Sequence, residues 1–100
     1  MFNSIKKIFG IPSKEVKKLM DEGALIIDVR TPFEFKGGHI PGSGNIPLDT
    51  LSSKIAELKK LNKTIVTVCR SGARSVTAKN ILTSAGLNAC NGGSWTNFNA

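Results

Sequence analysis

The chain predicts an α/β domain built on a mainly parallel sheet. Short apolar, β-branched runs alternate with segments whose apolar residues recur at helical spacing. The run Ala24 to Arg30 lacks a clean polar-apolar alternation, as expected of a strand buried on both faces. Glycine and proline punctuate the joins between these segments. With 100 residues and no internal repeat or linker, the chain reads as one domain over residues 11–100 behind a short extension, residues 1–10.

The elements follow in order. Ser13 is the expected N-cap of a first helix, Glu15 suits its N-terminal dipole, Val16, Leu19 and Met20 form its apolar face, and Gly23 ends it. The strand over 24–30 contains Asp28, whose charge is costly to bury unless Arg30 or backbone amides pair with it. A helical turn is expected at Phe33–Lys36, then a glycine- and proline-dense loop, then a very short strand over Asn45–Leu48 stopped by Pro47. Asp49 or Thr50 is the expected cap of the next helix, with Leu51, Ile55, Leu58 and Leu61 facing the core. Thr64–Val68 reads as the clearest strand, with Cys69 at its C-terminal end. A helix bearing Val76, Ala78, Ile81, Leu82 and Ala85 follows, ended by Gly86. Leu87–Asn91 reads as the last strand, and Gly92-Gly93-Ser94-Trp95 as the start of a closing turn.

The balance of 14 Lys+Arg against 7 Asp+Glu leaves a net charge of +7, a field that attracts anions in general. The lysines cluster at positions 6, 7, 14, 17 and 18 and again at 54, 59, 60 and 63, without interleaved aromatics or a nucleic-acid motif. They read as solvated helix faces rather than a nucleic-acid surface; docking of an acidic partner or steering of an anionic substrate are the alternatives. No apolar run approaches the roughly 20 residues of a membrane helix, and no signal-peptide pattern opens the chain, so a cytoplasmic protein is expected. Phe2, Ile5, Ile8 and Phe9 with Lys6 and Lys7 either cover one edge of the domain, fray, or touch a membrane surface. Two cysteines and one histidine do not make a zinc site, and no metal or cofactor is expected.

The chemistry concentrates after the strand that ends in Cys69. In parallel α/β sheets ligands sit outside the carboxyl ends of strands. Arg70-Ser71-Gly72-Ala73-Arg74-Ser75 turns from that strand into a helix. Amides at a helix N-terminus lack intrahelical partners and point at whatever lies before them. Those dipoles and the guanidinium groups of Arg70 and Arg74 favour a thiolate at Cys69, and Gly72 lets the backbone curl around it. Arg70 and Arg74 are the expected anchors of an anionic substrate. The plain alternative is a buried strand cysteine beside an ordinary turn glycine. A thiolate in a positive cradle serves sulfur transfer, phosphate-ester cleavage or redox sensing equally well.

Three segments narrow the choice. Leu25-Ile26-Ile27-Asp28-Val29-Arg30-Thr31-Pro32, Glu34-Phe35, Gly38-His39-Ile40-Pro41-Gly42-Ser43 and Asn45-Ile46-Pro47 together resemble the N-terminal signature of rhodanese domains. Cys69 to Ser75 resembles the family's active-site loop, and Gly92-Gly93-Ser94-Trp95 its C-terminal glycine pair and aromatic. The signatures stand in the right order over nearly the whole chain. The resemblance implies a five-stranded, mostly parallel sheet with helices on both faces and the loop after the fourth strand holding Cys69. It implies a sulfurtransferase: Cys69 takes a sulfane sulfur from an anionic donor such as thiosulfate, forms a persulfide, and passes the sulfur to a thiol, cyanide or protein acceptor. Phosphatases on this fold have a loop one residue longer than the six residues from Cys69 to Arg74, so the short loop favours sulfur.

Around this centre the expectations are structural. Asp28 and Arg30 form a buried ion pair at the strand end, or tune the site. His39 bonds to backbone in its loop, Glu34 pairs with a surface cation, and Trp95 packs beneath the active-site loop. Cys90 is an inert thiol, able to resolve a Cys69 intermediate only if the two sulfurs come within bonding reach. The competing functions are a persulfide carrier for a protein partner and a non-enzymatic binding or regulatory module.

Overall fold

The computed structural model describes residues 10–98, so the lysines and apolar residues of the first nine positions lie outside the described residues. Helix α1 (Ser13–Asp21) leads into β1 (Leu25–Asp28), then a short α2 (Pro32–Lys36) and a two-residue β2 (Gly44–Asn45). A 3-10 segment (Leu48–Lys54) runs into α3 (Ile55–Leu61), followed by β3 (Ile65–Cys69), α4 (Ala73–Ser84), β4 (Ala89–Ser94) and a closing 3-10 turn (Trp95–Phe98). The strands form one parallel sheet in the order β2-β1-β3-β4.

The sheet has four strands among the described residues, not five, and the loop bearing Cys69 follows the third. At the outer side of β4, among the described residues, the Ile11 N–H donates to the Asn91 carbonyl at 2.9 Å. Pro12 comes next and has no N–H with which to extend a ladder.

Helices cover both faces. On one, Leu51, Leu58, Ala78 and Leu82 pack with Ile27, Val29, Ile65, Cys69 and Ala89. On the other, Val16, with Leu19 and Met20 beside it, packs on Ile26, Val66 and Val68. Burial on both faces explains why β1 and β3 are mainly apolar without polar-apolar alternation.

Several boundaries differ from expectation. Pro12, not Ser13, occupies the cap of α1; Ser13 is already helical and offers no side-chain cap bond. The α3 region begins as a 3-10 segment behind Pro47, so neither Asp49 nor Thr50 caps it. Leu61 is 51% exposed, because Asn62 turns left-handed directly after it and the helix ends before that position meets the core. The short β2 is Gly44–Asn45 rather than Asn45–Leu48. Strand β4 continues through Gly92 and Gly93 instead of turning there. A Cβ on Gly92 would lie 2.8 Å from Val66 Cγ1 and 2.9 Å from Val68 Cγ1. The glycine therefore permits β4 to pass close to β3 at a shift in register.

Candidate active site

Parallel register brings three strand ends to one edge: Asp28 pairs with Val68, and Cys69 with Ser94. Cys69 ends β3 with its side chain on the α3 and α4 face. Gly72 adopts φ +98°, a left-handed turn that costs glycine little, and starts α4. That turn aims the Gly72 N–H at Cys69 Sγ, 2.9 Å away, and the Ser75 N–H approaches the same sulfur at 3.3 Å. Two amides of the turn are thus directed at the sulfur.

Behind the sulfur stands a small polar network. The Cys69 thiol donates to Ser75 Oγ at 3.4 Å. Ser75 Oγ in turn has two oxygen acceptors, Asn91 Oδ1 at 2.6 Å and the Gly72 carbonyl at 3.0 Å. Asn91 Oδ1 also accepts the Gly93 N–H at 2.9 Å, which fixes that atom as the oxygen. Thr67 Oγ1 donates to the Ser75 carbonyl at 2.8 Å, so β3 and β4 together brace the first turn of α4.

Attack on a donor calls for an accessible sulfur, yet Cys69 is 0% exposed, as in the plain alternative of a buried strand cysteine. The same curl that delivers the two amides closes over the thiol. Ser71 and Ala73 lie outermost in the loop, and Gly72 is buried against Cys69.

The two loop arginines differ. Arg74 is bound to Glu34 through two bonds, Nη1 to Oε1 at 2.8 Å and Nη2 to Oε2 at 3.0 Å. It is therefore not an open anion anchor; its charge is committed to α2. Glu34 Oε1 also accepts from the Thr31 N–H and hydroxyl, while Thr31 caps Glu34 N–H, a capping box. Arg74 and the Thr31 amide hold the Glu34 carboxyl at about 2, well below its ordinary 4.5. The Glu34 carboxylate raises the Arg74 guanidinium further above its usual range. Arg70 is exposed and carries no such partner among the described residues.

Asp28 and Arg30 form the buried pair expected at the strand end. Asp28 Oδ1 accepts the Arg30 N–H at 3.0 Å and Nε at 2.9 Å, and Oδ2 accepts Nη2 at 2.7 Å. Arg30 Nη2 also donates to the Gly38 carbonyl at 2.7 Å, and its guanidinium lies 4.6 Å from the Trp95 ring centroid. Trp95 accordingly packs on Arg30 and on Gly38, where a Cβ would meet the ring at 2.9 Å, rather than beneath the Cys69 loop. His39 Nδ1 bonds the Phe35 carbonyl at 2.7 Å and its ring stacks on Phe35, a structural role.

Cys90 packs with Val16, Ile26, Val66 and Val68, on the sheet face opposite Cys69. The sheet separates the two sulfurs, and both cysteines are free. Burial pushes the Cys90 thiol up, aided by the Glu15 carboxylate and opposed by Lys79.

Beside the loop, at the same sheet edge, lies an open depression of about 490 Å³ lined by Arg30, Phe33, Glu34, Gly37, Arg70, Trp95 and Thr96. Sequence reasoning missed Phe33 and Asn91 here. Asn91 had a weak signal, a polar residue directly before the glycine pair; Phe33 had none, since it read as part of a helical turn. Among the described residues, no group of acidic, histidine or cysteine side chains is placed to hold a metal, and no helix is long and apolar enough to cross a membrane.

Comparison with known proteins agrees with this fold. The chain is 34% identical over 77 residues to the thiosulfate sulfurtransferase GlpE of Pseudomonas syringae, covering 77% of this chain and 72% of that one. It is 39% identical over 57 residues to a sulfurtransferase of Allochromatium vinosum, covering 57% of this chain and about half of that protein, 52%. The solved human single-domain sulfurtransferase TSTD1 superposes with a TM-score of 0.77 at 27% identity, over 90% of this chain and 94% of that one. Residues 13–100 match the rhodanese-like domain, and the chain belongs to that family.

Proposed function

We propose that this protein is a sulfurtransferase that carries sulfane sulfur as a persulfide on Cys69. The observation that carries the reading is the pair of amides, Gly72 N–H and Ser75 N–H, directed at Cys69 Sγ from a helix start. Such donors stabilise negative charge on sulfur before and after transfer. Kinship with thiosulfate sulfurtransferases supports the same chemistry.

In the first step the Cys69 thiolate attacks the outer sulfur of thiosulfate. A Cys69 S–S bond forms, the donor S–S bond breaks, and sulfite leaves with the electron pair. In the second step a thiolate or cyanide attacks the outer sulfur of the persulfide. That S–S bond breaks, and Cys69 leaves as thiolate, ready for another cycle. Arg70 is the anion contact; Arg74 positions the loop through Glu34. Since the sulfur is covered, the loop around Gly72 shifts to admit the donor. The reducing cytoplasm is the proposed setting, where both thiols remain free.

Intact-mass measurement after incubation with thiosulfate tests the reading: a gain of about 32 Da, removed by reductant, is expected for a persulfide. Replacing Cys69 with Ser abolishes that gain and thiocyanate formation with cyanide. Activity surviving that substitution refutes the assignment. Failure to load with any donor makes the chain a non-enzymatic module of the same fold.

A further inference from the structure

The depression beside the loop has a composition that inorganic thiosulfate does not need. Two ionic groups border it besides Arg70, and each is already paired: Arg30 with Asp28 at 2.7 Å, and Glu34 with Arg74 at 2.8 Å. The charges within each pair cancel, so among the described residues Arg70 is left as the uncompensated charge on the lining. The same depression is lined by Trp95, half-buried, and Phe33, which is 87% exposed. Phe33 is the most exposed large apolar side chain among the described residues. An aromatic ring held in water gains by covering, at roughly 25 cal/mol per Å² of apolar surface removed from solvent. It sits at the N-terminus of α2, a helix fixed by the Thr31–Glu34 capping box and tied to the Cys69 loop through Arg74. The ring and Arg70 therefore border one depression, and the elements that carry them are linked through Arg74.

We propose that this depression is the subsite for an organic sulfur donor bearing one anionic group on an apolar body, with Arg70 as its anion contact and Phe33 as its apolar contact. This deepens the sulfurtransferase reading and rests on it. One free guanidinium matches one negative charge, whereas dianionic thiosulfate leaves a charge unmet and the aromatic wall uncovered. Volume agrees: about 490 Å³ accommodates a ring or a short organic chain, several times the size of a thiosulfate ion. The transfer balances as before. For an arenethiosulfonate, Cys69 thiolate attacks the terminal sulfur, the S–S bond to the sulfonyl sulfur breaks, and the arenesulfinate leaves with the electron pair.

The test compares benzenethiosulfonate with thiosulfate as donor to the full chain, reading persulfide loading by intact mass and steady-state kcat/KM with cyanide as acceptor. The wild-type protein is expected to favour benzenethiosulfonate at least about 10-fold. Phe33→Ala is expected to reduce that preference about 5- to 10-fold, as loss of an apolar contact worth roughly 1 kcal/mol would. Arg70→Gln is expected to raise KM for both donors. Phe33 is exposed, so its truncation leaves the fold intact, and a thermal melt checks this. A preference for thiosulfate in the wild type, or a donor ratio unmoved by Phe33→Ala, overturns the proposal while leaving sulfur transfer standing. Absence of loading by either donor instead overturns the sulfurtransferase reading beneath it.

Discussion

Cys69 and Cys90 stand on neighbouring strands of one sheet, and neither forms a disulfide. Cys69 ends its strand. Its sulfur receives two backbone amides and neighbours the Ser75 hydroxyl, all at the start of a helix. Cys90 lies within β4, on the opposite face, among Val16, Ile26, Val66 and Val68. Burial raises its thiol, and among the described residues no backbone amide donates to its sulfur. Exposure alone would rank them the other way, since Cys69 is fully covered and Cys90 is half-buried. Reactivity in a fold of this kind depends on what covers the sulfur. Polar amides from a loop make a site, whereas aliphatic side chains make a core position.

The largest expected effect separates the two thiols outright. Cys69→Ser removes persulfide loading entirely, while Cys90→Ser retains wild-type loading and cyanide turnover. Alkylation with iodoacetamide, read by peptide mass, gives a second view. The raised thiol at Cys90 holds less thiolate than a free cysteine near neutrality, so its labelling stays slow at pH 7 and keeps rising above the ordinary thiol range. Loss of loading in Cys90→Ser would break the comparison, because it would make the far face part of the reaction.

Next in size is the loop glycine. Gly72→Ala places a Cβ on a residue at φ +98°, a strain of about 1–3 kcal/mol that the loop can relieve only by turning. Turning moves the amide that lies 2.9 Å from Sγ. Loading at Cys69 is expected to fall by roughly 10- to 100-fold, in the range seen when one such donor is lost. Labelling of Cys90 is expected to stay as in the wild type. Equal changes at both thiols would show global loosening rather than loss of the cradle.

Much of this contrast was legible in the chain. The four strands, the placement of Cys69 before a helix and the Asp28–Arg30 pair follow from local pattern, because burial, periodicity and the cost of an unpaired charge are properties of short segments. What was not legible required knowing which distant residues meet. Glu34 and Arg74 are forty positions apart, so sequence gave each a role without the other and counted Arg74 as an anion anchor. Asn91 supports Ser75 across sixteen positions. The covering of Cys69 depends on backbone angles at Gly72, which composition does not specify. The glycine pair at 92 and 93 read as a turn because glycine usually marks one; here the missing side chain serves close strand packing instead.

The smallest expected effect concerns the Glu34–Arg74 pair, which braces the Cys69 side of the sheet and has no counterpart at Cys90. Glu34→Gln keeps the capping box, since glutamine at that position still accepts from the Thr31 amide, and removes only the charge. Both partners are partly open to solvent, which screens the pair, so the loss of stability at pH 7 is about 0.5–1 kcal/mol. The sign with pH is fixed by a carboxyl whose folded value is depressed. Its contribution is complete above the ordinary 4.5 and is lost as pH falls toward about 2. Urea midpoints of the wild type and Glu34→Gln should therefore differ at pH 6 and converge between pH 4 and pH 2. Loading at Cys69 in the variant is expected to slow by only a few-fold, with Cys90 labelling unaltered. A constant gap down to pH 2 would mean that the carboxylate charge is not what ties α2 to the loop. Arg74 would then have to be reconsidered as free to meet the donor.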